Sequence, residues 1–149
     1  MVMRWRMVLA AGLVAVLGFV AVSFAAEMGM QAETQLKASI AEAKAAQAAG
    51  TLKEAQEHLQ NVINCIEGPK GMMYKKMMGK MMSACEGKGS GLLPDAKMSG
   101  AKWTGSVPWI ELAGSNAAIG VKAQSLAKAR ASGWAAQSVL EHAAGMMMK

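Results

Sequence analysis

Six methionines fall within the eleven residues Met72-Met73-Tyr74-Lys75-Lys76-Met77-Met78-Gly79-Lys80-Met81-Met82, and three more stand at Met146, Met147 and Met148. A thioether is a soft, weak ligand that suits Cu(I) rather than harder ions. It is also an adaptable apolar surface. Cores are built mostly from Leu, Ile and Val with Met as gap-filler, whereas these methionines collect among Lys and Gly. Take Met72 to Ala84 as a helix, at about 100° per residue. Met73, Tyr74, Met77, Met78, Met81, Met82 and Cys85 then cover one half of the cylinder, and Lys75, Lys76 and Lys80 the other. Met77 with Met81, and Met78 with Met82, lie one turn apart, near enough for two sulfurs to share a soft ion. Three uses of such a face compete: a Cu(I) or Ag(I) site, a docking surface for a partner or an anionic membrane, or plain packing against the rest of the protein.

The other candidate ligands are few. His58 and His142 are the only histidines, and each follows a glutamate. His142 falls on a helical stripe with Met146 one turn on, and His58 lies on the flank of its stripe along the line of Cys65. If two helical hairpins pack together, a His-His or His-Met pair is a ligand set for Cu(I) or for a b-type haem. The alternative is one core and one surface histidine in structural roles. No Cys-x-x-Cys-His string occurs, which excludes a covalently attached haem. Cys65 and Cys85 are expected to form a disulfide. The other use of the pair, as reduced thiols holding a soft metal, lacks the Cys-x-x-Cys spacing.

Catalytic patterns are absent. Asp95 is the only aspartate, so no oxygen-rich Ca²⁺ loop exists. Gly87-Lys88 lacks the flanking residues of a phosphate-binding loop, and neither HExxH nor GxSxG occurs. The protein is not expected to be an enzyme.

An oxidising location is expected from the start of the chain. Arg4 and Arg6 precede an uncharged apolar run from Met7 to Val22, and Ser23-Phe24-Ala25 supplies the small residues of a cleavage site. Residues 1–25 are therefore expected to be a signal peptide and residues 26–149 a single secreted or periplasmic domain. Left uncleaved, the run from Met7 to Ala26 is just long enough to act as a membrane anchor. Without Arg4 and Arg6 the balance is 14 basic to 10 acidic side chains. Arg130 is then the only arginine, and aromatic residues are few, which argues against nucleic acid as a partner.

These residues must be positioned by helices, because Ala is abundant and strand formers are sparse. The stretch from Met30 to Ala49 reads as one helix, with Leu36, Ile40, Ala43 and Gln47 on a face. Gly50 reads as a left-handed stop. Thr51, with Glu54 three residues on, makes a capping box. Leu52, Ala55, Leu59, Val62 and Ile66 form the next buried stripe, which Gly68-Pro69 ends. Ser106-Val107-Pro108 opens a third helix. Ile119, Ala123 and Leu126 mark it, Ser132-Gly133 stops it, and Ala135, Val139, His142 and Met146 mark the last. The run Ala43 to Gly50 is similar to Leu126 to Gly133, a weak internal repeat of a hairpin. The expected fold is all-α: a four-helix bundle of two helical hairpins, about 30–67 and 108–148, joined by a long disulfide-tied crossover, 68–107, rich in Met, Gly and Lys.

The Ala-rich hairpins, each reaching Glu-His after a glycine (Glu57-His58 and Glu141-His142), resemble small secreted helical metal-binding proteins of bacteria over residues 36–66 and 119–146. That resemblance implies the hairpin architecture and metal handling. It does not carry ligands, because that family is rich in histidine and this chain has two. The leading functional expectation is a soft-metal binder for Cu(I) through Met73, Met77, Met78, Met81 and Met82, with His58, His142 and Met146 as accessory candidates. The second is a non-catalytic module that docks an envelope protein or a membrane surface. The third is a b-type haem bundle.

Overall fold

The computed structural model describes the backbone of residues 3–77 and 85–147, and side chains from Phe24 onward within those ranges. The side chains of the expected signal segment before Phe24 lie outside the described residues. So do Met78, Lys80, Met81, Met82 and Met148. Among the described residues the fold is all-helical: α1 (Met3–Ala48), α2 (Leu52–Glu67), α3 (Leu92–Met98), α4 (Ala101–Thr104), α5 (Val107–Val121) and α6 (Leu126–Met147). Helix α1 packs on α2, α3 and α6, and α5 packs on α2 and α6.

The first helix starts far upstream of Met30, with no break at the expected cleavage site. No proline lies between Met3 and Ala48, and the Ala- and Leu-rich sequence propagates helix in both directions. Its buried residues include Ala32, Leu36, Ala43 and Ala46, with Ile40 and Gln47 half-buried on the same side. Gly50 is not in the left-handed region. The helix stops because the next one claims its groups. Thr51 Oγ1 accepts the Glu54 N–H at 3.2 Å, and the Glu54 carboxylate accepts the Gly50 N–H at 2.8 Å. This is a capping box displaced by one residue on its return bond. Arg130, reaching across from α6, donates from Nε to the Ala49 carbonyl at 3.0 Å and satisfies the helix end.

Helix α2 buries the expected stripe of Ala55, Leu59, Val62 and Ile66, but its second half is buried all round from Leu59 to Ile66. The apolar side meets the helices, and Gln60 and Asn64 face elsewhere. Complete burial of a Leu or Ile is worth roughly 1.5–3 kcal/mol. A buried amide is tolerated only when it is hydrogen-bonded. The partner of this polar side is the crossover.

The second hairpin differs from expectation. Its turn lies between Val121 and Leu126, and α6 runs unbroken through Ser132-Gly133. Gly133 is needed there for close packing: a Cβ at that position would stand 3.1 Å from both the Ala43 carbonyl oxygen and Ala46 Cβ of α1. Tertiary contact thus offsets a helix penalty of about 1 kcal/mol. The matching run in the first hairpin, Ala43 to Gly50, ends a helix instead, so the two similar stretches do not occupy equivalent places. The buried stripe of α6 is Ala129, Gly133, Ala136, Leu140 and Ala143. The stripe expected through His142 and Met146 is displaced: both are exposed, and Ala135 and Val139 are half-buried. Small residues on two faces of α6 made either stripe possible from spacing alone. Ile119, expected on a buried stripe, is exposed as well.

Among the described residues of the crossover, 68–77 and 85–91 are irregular. From there α3 and α4 supply Leu92, Ala96 and Trp103 to the core.

Candidate functional site

The site is built where α2 ends. Cys65, in the last turn of α2, is bonded to Cys85 across a sequence separation of 20. The expected disulfide is therefore formed, and no free cysteine remains. Beside it the chain crosses itself at two glycines with positive φ, Gly68 at 71° and Gly91 at 121°. A Cβ on Gly68 would fall 1.8 Å from the Ser90 carbonyl oxygen, and one on Gly91 2.6 Å from the Glu67 carbonyl. Only glycine allows this approach, both for φ and for space.

The Met-rich segment leaves this crossing along α2. Its first described residues, Met72 to Met77, form a turn and then irregular chain, not the expected helix. The reason lies on the polar side of α2. Asn64 pairs with Lys75 at two points: Nδ2 donates to the Lys75 carbonyl at 2.6 Å, and Oδ1 accepts the Lys75 N–H at 3.0 Å. Gln60 Nε2 donates to the Met73 carbonyl at 2.9 Å and to Asn64 Oδ1 at 3.0 Å. The Glu67 carboxylate accepts the Met73 N–H at 2.7 Å. Both backbone groups of Met73 and of Lys75 are thus taken by side chains, and a helix would have to break all four bonds.

The side chains consequently point away from the clamp. Met72 is fully exposed and Met73 is 41% exposed, flanked by exposed Lys70, Lys75 and Lys76. Met77 is half-buried. The helical register proposed for Met73 and Met77 is absent, while Met78, Met81 and Met82 lie outside the described residues.

The remaining candidates have different partners. His58 Nδ1 is 2.8 Å from Glu42 Oε2, a contact between α2 and α1. His142 lies against Trp109, with ring centroids 4.3 Å apart, a contact between α6 and α5. Each imidazole thus has a contact of its own, on a different pair of helices. Met146 packs its methyl against Gly105, where an added Cβ would meet it at 3.1 Å. Among the described residues no group of three or more His, Cys, Asp or Glu side chains could hold a metal ion.

A second polar knot holds the far side of the disulfide loop. Asp95 is completely buried. It accepts from Gln35 Nε2 at 3.0 Å and from the Ser90 N–H at 3.1 Å, and Gln35 Nε2 also donates to the Lys88 carbonyl at 2.7 Å. Burial raises the Asp95 carboxyl above its ordinary value, and the hydrogen bonds from Gln35 and Ser90 oppose that only in part. Gly89 is pressed into the knot, since a Cβ there would meet Asp95 Oδ2 at 2.4 Å.

Apolar stripes in the sequence hid Gln60, Asn64, Glu67, Gln35 and Asp95 as working residues. The available signal was amides at the i, i+4 positions 60 and 64 in a helix with strong apolar neighbours, because such residues need partners when buried. No family model matches this chain, and no curated protein or solved structure is similar to it.

Proposed function

We propose that this is an exported protein that binds a soft metal ion, Cu(I), through the Met-rich crossover of a four-helix bundle made of two hairpins. The principal ligands are Met73, Met77, Met78, Met81 and Met82, joined by Met72. The observation that carries the proposal is the outward presentation of Met72 and Met73 from a backbone clamped to α2. Thioethers serving only as packing would be turned inward. With Cys65 and Cys85 joined, no thiolate competes for the metal, and the soft donors left are thioethers. A loop can wrap such an ion without the helical register, since Cu(I) takes few ligands from any geometry that brings sulfurs together.

The test is a Cu(I) titration of the full chain against a competing chelator, with thiol titration confirming that the disulfide is intact. The wild type should withdraw copper from the chelator, and a variant with Leu at positions 72, 73, 77, 78, 81 and 82 should not. Equal competition by the two proteins removes the proposal.

A second reading is favoured by the exposed lysines beside the exposed methionines. The same loop would then dock an acidic partner surface or an anionic membrane. Co-sedimentation with anionic vesicles, lost in Lys75→Glu/Lys76→Glu and unaffected by the six Leu substitutions, would favour docking over copper.

A further inference from the structure

A cavity of about 470 Å³ opens between α1, α4 and α6. That volume lies in the range of small-molecule sites, roughly 300–1,000 Å³. Its walls are apolar: Leu36 and Ile40 from α1, Trp103 from α4, and Ala144 and Met147 from α6. Three charged residues also line it. Glu33 and Lys37 are paired with each other at 2.8 Å. Lys102 makes no hydrogen bond or close ion pair among the described residues, although its charge joins that of Lys37 in lowering Glu33, and two lysines against one glutamate give the lining a net charge of one positive. Trp103 is 3% exposed, and its indole N–H faces α1, with Nε1 3.8 Å from where a Cβ on Gly29 would stand. The cavity therefore joins an apolar wall to a net positive charge and an indole donor.

We propose that this cavity binds a free fatty acid, with the alkyl chain along Leu36, Ile40 and Met147 and the carboxylate held by Lys102 and the Trp103 indole N–H. Charge complementarity selects the head group. A cationic amphiphile would be repelled by Lys102, and a neutral alcohol could accept a hydrogen bond there but would leave the positive charge uncompensated. Glu33 does not oppose the anion alone, since its own charge is held by Lys37.

The proposal is independent of copper binding and is tested on the full chain by calorimetric titration with three probes that share one tail: decanoate, decanol and decyltrimethylammonium, each below its aggregation concentration. Decanoate should bind at a single site and more tightly than the other two. Lys102→Glu should weaken it at least tenfold. Gly29→Leu should abolish binding by filling the cavity, because a Cβ at Gly29 stands 3.8 Å from Trp103 Nε1 and enters without a clash. Ala144→Leu fills the same space from the opposite wall and serves if the first variant does not fold. No heat with decanoate, equal affinity for the three head groups, or an unaltered affinity in Lys102→Glu each overturns the proposal.

Discussion

Asn64 does for Lys75 what a neighbouring strand does for its partner: it offers one donor and one acceptor to a single residue's backbone. Replacing it with Ala leaves a partly buried carbonyl and N–H to find other partners, which costs about 0.5–1.5 kcal/mol for each bond lost. Asn64→Ala should lower the urea midpoint accordingly, and the Lys75 amide should exchange faster than in the wild type. Exchange unchanged at Lys75 would show that the clamp does not hold the segment. Asp95 makes a prediction of the opposite kind. Its folded-state carboxyl titrates above its unfolded value, so the folded protein holds the proton more tightly. Its contribution is most favourable below the unfolded value, near 3.8, and is lost as pH rises through the raised folded value. Asp95→Asn keeps an acceptor for Gln35 and Ser90 and removes the titration. The stability difference, wild type minus variant, should therefore fall with rising pH across that interval and be flat above it. Glu33 cannot imitate this, because the hydrogen bond and charge of Lys37 lower its carboxyl and give a slope of the other sign.

At the scale of elements, two glycines in α5 illustrate how helix propensity and packing compete. Both Gly114 and Gly120 weaken the helix by propensity. At Gly114 an added Cβ would meet Ile66 Cγ2 at 3.6 Å, an ordinary contact. Gly114→Ala should stabilise the protein by up to about 1 kcal/mol. At Gly120 the Cβ would fall 2.4 Å from Leu59 Cδ1 and 2.6 Å from Ser132 Cβ, in a place closed by α2 and α6 together. Gly120→Ala should destabilise it by about 1–3 kcal/mol. Thermal melts of the two variants should move in opposite directions; equal shifts would mean that α5 does not seat between α2 and α6 as described. Gly133 follows the same logic where α6 meets α1, which is why a glycine expected to end a helix sits inside one.

At the scale of the molecule, the disulfide and the two polar knots hold one end of the fold, where the chain crosses itself at Gly68 and Gly91. Closing a loop of this length is worth on the order of 3 kcal/mol. Reduction should lower the unfolding free energy by about that amount in urea titrations with and without reductant. Coincident curves would show that the knots alone maintain the crossover. Much of this arrangement was legible in the amino acids: the helical class, the stripe of α2, the Thr51–Glu54 cap, and the pairing of Cys65 with Cys85. These follow from local periodicity, local capping and a count of two cysteines. The path of Met72 to Met77, the place of the second turn, the stripe of α6 and the partners of the two histidines were decided only by tertiary structure. In each case the sequence allowed more than one local solution of nearly equal energy. An amide buried on α2, or a helix approaching to within a missing Cβ, selected among them through contacts between residues far apart in the chain.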